Sequence, residues 1–374
     1  MSNYFLDMYK SALGIGAKPL EPQSSGKRIT YIDLAKGVGI FLVVFVHADD
    51  WFNLDYQGRY AISIFLQALF FFMSGMFFKT YSGFKEFLTR KVNTLLIPFI
   101  AFYLLTACLL PNVLHQFGYE VRNEHMIGWQ SLWAFAYPAH TTFSNTPLWF
   151  LLCLFVVSIA FYGIYSLVDF VCVKCRWNKS PIAKPAMLLI ICAAAGVLGY
   201  YLAVHHINWY LFTDSACTVL PFFCVGYVLK NHTTILQKID RSWWLWLLAA
   251  ACLLYIYFFA PGVSYRLNRT NGSFGMLYSC AFVGICAVIL LCRLCPAIPI
   301  VNFWGKHSLI ILCTSNLVIQ FTALFVRRLP FGDWTLFVLL IVIVMLVETL
   351  AIPFLVRFFP HITGQKNVLP VSGK

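Results

Sequence analysis

Ten blocks of apolar residues, nine of them about 18 to 22 long, run through this chain and leave it few ways to fold. A helix rises ~1.5 Å per residue, so a block of that length crosses a hydrocarbon core of ~30 Å. The blocks are continuous rather than alternating, which excludes the wall of a β-barrel. In lipid only helices and closed barrels satisfy the backbone. The runs therefore predict an all-α polytopic membrane protein with about ten transmembrane helices, near 31–50, 60–78, 93–110, 147–168, 186–204, 216–230, 242–260, 274–292, 308–326 and 335–356. Only 11% of the residues are charged, against ~25% in soluble domains.

The net charge of +13 would suit nucleic acid, but its placement argues against such a partner. With the N-terminus inside, 21 of the 27 Lys and Arg fall on inner segments. The outer ones are Arg59, Arg122, Arg266, Arg269, Arg327 and Arg328. This positive-inside bias predicts both termini in the cytoplasm, with anionic membrane lipids as a secondary partner of the basic residues. One domain is expected: a cytoplasmic tail over 1–30, a transmembrane domain over 31–358 and a cytoplasmic tail over 359–374. No cleavable signal peptide is expected, because the first apolar run starts late and is too long for one. Tyr4, Phe5, Met8 and Tyr9 in the first tail would suit the inner interface.

Most of the 13 cysteines are scattered singly through the spans, as small apolar residues. Two Cys-x-x-Cys pairs, Cys172/Cys175 and Cys292/Cys295, have zinc-ligand spacing. Coincidence in a Cys-rich chain is the simpler reading, so no metal is expected. Asn-x-Ser/Thr tripeptides at Asn268 and Asn271 matter only in a eukaryotic secretory pathway.

One loop is long, residues 111–146 on the outer side. It is rich in aromatics and holds Trp129, Trp133, Glu120 and Glu124, the candidates for substrate binding. Aromatic faces with a few polar groups suit a sugar ring or a lipid headgroup. An interfacial aromatic belt is the alternative. On the inner side, Lys79, Lys85, Arg90 and Lys91 crowd a short linker. Of these, Arg90, Lys91 and Lys85 are the candidates for binding the phosphates of a cytosolic cofactor. Plain positive-inside anchoring is the alternative.

The first span holds the ionisable groups Asp33, Lys36 and His47 in an otherwise apolar helix. Eleven residues separate Lys36 from His47, close to three turns, so the two share a face roughly 16 Å apart. Such groups are costly at bilayer depth, and a retained one marks function by default. Asp33 and Lys36, three apart, are placed to neutralise each other near the inner interface. An imidazole in apolar surroundings favours its neutral form, a competent general base for a hydroxyl. Gly37 and Gly39 leave a thin face for another helix or a slender ligand. A proton-coupled transporter could use the same stripe as a relay, and the residues alone leave both readings open.

The stretch YIDLAKGVGIFLVVFVHADDWF resembles the first-helix signature of the membrane-bound acyltransferase-3 family, in which a basic residue precedes a His by eleven positions. LFFFMSGMFFK (69–79), TLLIPF (94–99), PLWFLLCLF (147–155), LPFFCVGYVLKN (220–231) and WGKHSLII (304–311) resemble later blocks of the family, in the same order. The chain is most similar to the fucose 4-O-acetylase-like group. The resemblance implies an O-acyltransferase that moves an acyl group, usually acetyl, from cytosolic acyl-CoA to a hydroxyl of a cell-surface glycan or glycolipid. It implies no bound cofactor, since acyl-CoA is the donor substrate, and a place in a bacterial cytoplasmic membrane. It carries the basic motif role to Lys36 and the catalytic role to His47. Two positions depart from the pattern. The family often has Arg-x-x-Arg where this chain has Arg90 and Asn93, and a His where it has Cys313-Thr-Ser315-Asn316.

The expected chemistry is deprotonation of the acceptor hydroxyl by His47 and attack on the thioester, with Lys36 and Asp33 at the donor end. A transporter or flippase for a glycolipid or organic acid is the rival, although the inverted repeats it would show are not evident. A glycan polymerase is a third. The sequence does not set the oligomeric state.

Overall fold

The computed structural model describes residues 2–15, 30–54, 58–109, 145–177, 180–233 and 242–371. Twelve helices are named here: α1 (Ser2–Leu13), α2 (Thr30–Asp49), α3 (Gly58–Met76), α4 (Phe84–Thr106), α5 (Thr146–Lys174), α6 (Ala183–Val204), α7 (Tyr210–His232), α8 (Trp244–Phe259), α9 (Phe274–Leu294), α10 (Pro299–Lys306), α11 (Ser308–Val326) and α12 (Asp333–Phe358). Among the described residues, nine of them are long and apolar enough to cross a membrane. The chain is thus an all-α, multi-pass membrane protein. Each predicted run falls on a helix. The seventh falls on α8, whose 16 residues reach only about 24 Å.

Local chemistry accounts for several boundaries. Ser273 caps α9, its hydroxyl accepting from the Met276 amide at 3.3 Å. Pro299 opens α10, where a missing amide hydrogen costs nothing. Helix α4 is not a uniform coil: it passes through a π-helical stretch at Val92–Leu96, and another follows at Leu104–Leu109. The first tail reads as polar in sequence, yet it contains α1. Ala12 is buried there, the Tyr9 hydroxyl donates to the Leu350 carbonyl at 3.0 Å, and Arg357 lies 5.0 Å over the Tyr4 ring. The aromatic cluster of the tail is what docks this helix onto α12.

Glycines decide which helices cross closely. Helices α3 and α7 touch backbone to backbone: a Cβ on Gly75 would run into the Phe223 carbonyl, and one on Gly226 into that of Phe72. Below this crossing Phe78 is enclosed by Phe87, Phe161, Tyr165, Phe223 and Tyr227, with ring centroids 4.9–6.1 Å apart. That cluster ties the ends of α3, α4, α5 and α7 together. The thin face of α2 is taken by a helix rather than a ligand. Gly37 meets the Val301 carbonyl and Gly305 meets that of Asp33, so α10 lies flat on α2.

Between α8 and α9 a short antiparallel hairpin, β1 (Val263–Ser264) with β2 (Arg269–Thr270), pairs Val263 with Thr270 and Ser264 with Arg269. It is pinned to α3 by the buried Tyr265, whose hydroxyl donates to the Ile64 carbonyl at 2.8 Å. Burial pushes that phenol well above its ordinary value. Asn268 closes the turn with a left-handed φ of 47°. Its side chain is buried, accepting from Thr218 at 2.7 Å and donating to the Gly199 carbonyl at 3.2 Å. It is a structural residue, not an exposed glycan acceptor.

Candidate functional site

Helix α2 is one unbroken rod, so the eleven-residue spacing survives folding: Asp33 and Lys36 stand near one end and His47 near the other, ~16 Å apart along the axis. The two ends have different surroundings.

At the His47 end the chain turns back at once. Three consecutive amide bonds, Trp51 to Ala48, Phe52 to Asp49 and Asn53 to Asp49, fold it over the helix terminus. The Asp49 carboxylate is fully buried and accepts from the Leu54 amide at 3.0 Å. That reversal brings Arg59, from the start of α3, against both carboxylates: 3.1 Å to Asp49 and 3.0 Å to Asp50. Asp50 in turn lies 3.4 Å from Nδ1 of His47. A carboxylate can only accept, so Nδ1 carries a hydrogen, and the neutral ring then has its lone pair on Nε2. The imidazole is 18% exposed, enough for a ligand to reach it. Arg266, from the hairpin, closes the group near Asp50; burial lowers the affinity of its guanidinium for the proton, and the Asp50 charge opposes that.

At the other end the cations gather instead. The Lys36 ammonium lies 5.2 Å from the centroid of Phe77, and that of Lys230, from the last turn of α7, lies 3.8 Å from the same ring. Lys79, two residues after Phe77, is close enough to act on the Lys230 charge, as is Lys36. The three cofactor candidates have different surroundings. Arg90 is tied to Glu86 by contacts of 2.6 and 2.8 Å and lies 4.5 Å over Tyr81. Lys91 points 5.7 Å over Phe87. Lys85 is exposed and lines a cavity of about 350 Å³ with Ser82, Thr89 and the chain at Pro370–Val371. Asn93, where the resembling family often has an arginine, has a different task. Its carbonyl oxygen accepts from the Val368 and Leu369 amides at 2.9 and 2.8 Å, and its amide donates to the Leu369 carbonyl at 3.0 Å. It clamps the C-terminal segment like a rung of a strand.

Between the two ends lies a buried carboxyl, Glu348 of α12. Its level is set by Thr349, which accepts from the Trp304 indole at 2.9 Å, while that indole stacks on Phe41 at 6.3 Å. The Thr314 hydroxyl sits 2.8 Å from both the Ile310 carbonyl and Oε2 of Glu348. The hydroxyl donates toward the Glu348 carboxyl and has the Ile310 carbonyl as a second acceptor for the same hydrogen.

Trp129, Trp133, Glu120 and Glu124 lie outside the described residues. The Cys-x-x-Cys pairs are free thiols, Cys172 packing 3.9 Å from the Met187 sulfur. Among the described residues, no group of three or more His, Cys, Asp or Glu is arranged to hold a metal ion. Sequence reasoning does not find Asp50 as the partner of His47, Arg59 and Arg266 as neighbours of Asp50, nor Lys36 and Lys79 close to Lys230. The available signal is an acidic pair after His47 followed nine residues on by an arginine; nothing local points to Lys230.

A family model described as an acyltransferase domain matches residues 29–353, from the start of α2 to the last turns of α12. No curated protein and no solved structure matches the chain.

Proposed function

The chain belongs to this acyltransferase-domain family, and from that premise we propose an integral-membrane O-acyltransferase of the fucose 4-O-acetylase-like kind. It moves an acetyl group from cytosolic acetyl-CoA to a hydroxyl of a cell-surface glycan or glycolipid. The positive-inside bias supports an orientation with both termini and the Lys36 end in the cytoplasm, and His47 toward the outer side. The membrane is a bacterial cytoplasmic membrane in this reading.

The observation that carries the reading is the ordered set His47–Asp50–Arg59. Asp50 holds the tautomer in which Nε2 is free, and Arg59 holds Asp50. Nε2 takes the proton of the acceptor hydroxyl as its oxygen attacks the thioester carbonyl. The carbon–sulfur bond then breaks, and the imidazolium returns the proton to the leaving thiolate. Asp50 is a positioning residue, since it acts through the imidazole. The donor's phosphates stay at the Lys36 end, and the thioester reaches along α2 toward His47.

The test is release of free thiol from acetyl-CoA by purified protein in nanodiscs, with and without a glycan acceptor. Acceptor-stimulated thiol release that vanishes in His47→Ala supports the reading. Movement of a solute across vesicles with no thiol release would show a transporter instead.

A further inference from the structure

Two ammonium groups from separate segments face the Phe77 ring, Lys36 from α2 and Lys230 from the last turn of α7, and a third, Lys79 just past α3, is close enough to act on the Lys230 charge. They are far apart in sequence and meet because Gly75 and Gly226 let α3 and α7 touch backbone to backbone, so that both helix ends arrive at one spot. Among the described residues neither Lys79 nor Lys230 has a carboxylate within ion-pair distance. Phe77 itself is 40% exposed, so the group is open to a ligand. Like charges drawn together oppose each other, and an aromatic face offsets only part of that. Such an arrangement is relieved by an anion with more than one charge.

We infer that Lys36, Lys79 and Lys230 form the grip for the phosphate groups of the acyl-CoA donor, with Phe77 as its floor. This rests on the acyl-transfer reading above. It moves the phosphate site away from Arg90, whose charge Glu86 already answers, and Lys91, which lies over Phe87. It also places the phosphates at the Lys36 end of α2, leaving ~16 Å to His47. An extended pantetheine arm spans a gap of that kind, whereas a compact donor held at the lysines would not reach the imidazole.

The shared chemistry is a phosphate-rich anion, which a lipid headgroup also offers, so the experiment separates the two. Lys79→Gln/Lys230→Gln is compared with wild type for thiol release from acetyl-CoA and from acetyl N-acetylcysteamine, a thioester without phosphates. The KM for acetyl-CoA should rise about a hundredfold, because the double variant removes two charge-assisted hydrogen bonds to phosphate, each worth about tenfold. The KM for the small thioester should not change, and Lys79→Arg/Lys230→Arg should keep the wild-type values. Equal effects on both donors, or none on either, would overturn the assignment. So would a defect that appears only as reduced thermal stabilisation by phosphatidylglycerol in otherwise neutral nanodiscs, which marks a lipid site. Calorimetric binding of CoA keeps the two proposals apart. If wild type binds CoA and the Gln pair does not, the grip stands even where no thiol is released and the acyl-transfer reading falls. If wild type does not bind CoA, the grip falls with it.

Discussion

The two ends of helix α2 are built on opposite electrostatic plans. Around His47 the charges alternate in sign: Arg59 bridges Asp49 and Asp50, Asp50 faces the imidazole, and Arg266 stands near Asp50. Around Lys230 the charges repeat: Lys36 and Lys230 face one aromatic ring, and Lys79 is close enough to act on Lys230. A network that balances itself orients a side chain and asks nothing of a ligand. A group of like charges is completed from outside. In the proposed reading, one helix carries a preorganised chemical end and a binding end, each finished by different neighbours.

The sharpest test of that division removes one residue from each end. His47→Ala should lower acceptor-dependent thiol release by about 10²–10⁴-fold, with normal insertion and an unchanged KM for donor. His47→Gln should be nearly as inactive. Lys36→Gln should instead raise the donor KM about tenfold, as removal of one charge-assisted hydrogen bond, with a smaller change in kcat. If Lys36→Gln depressed kcat as deeply as His47→Ala does, the two ends would be one chemical unit and the division would fail.

A second pair of variants tests the balanced end by itself. Arg59→Gln leaves the buried Asp49 uncompensated and should destabilise the protein by about 3 kcal/mol, read as a fall in its thermal midpoint. Asp49→Asn/Arg59→Gln should recover part of that fall, because the buried charge is gone. No recovery would mean that Arg59 acts through packing. Asp50→Asn should leave the midpoint almost unchanged and lower kcat about tenfold, through a weakened hold on the imidazole.

The smaller effects lie away from both ends. Asn93→Ala removes three hydrogen bonds from the C-terminal segment and should cost about 1–3 kcal/mol locally, seen as faster protease cleavage near Val368. Glu348→Gln should change stability and turnover least, within about twofold, because the amide oxygen can still accept from Thr314. A large drop in turnover would show that the Glu348 carboxyl takes part in the reaction.

Much of the fold is legible in the residues. Ten apolar runs land on ten helices, and the spacing of Lys36 and His47 survives because both sit on one rod. The acidic pair after His47 is visible too, but not its use. Arg59 reaches it only because residues 50–54 reverse the chain against the helix end. The first tail reads as polar because α1, though mostly apolar, is too short to span and sits beside a longer polar stretch, and its packing on α10 and α12 explains its apolar residues. Lys230 reads as topology alone, since 194 positions separate it from Lys36.

Whatever depends on neighbours along the chain is written in the residues: which stretches are helices, that they belong in a bilayer, and that one of them carries a basic residue and an imidazole on one face. Hydropathy and the 3.6-residue period are local, and so readable. Whatever depends on which helices touch was settled by packing. The glycine contacts of α3 with α7 and of α2 with α10 set those neighbours and bring Lys230 close to both Lys36 and Lys79, while the chain reversal after α2 brings Arg59 to Asp49 and Asp50. Side chains from distant segments share an electrostatic field only once the backbones have packed, and no pattern along the chain records that packing.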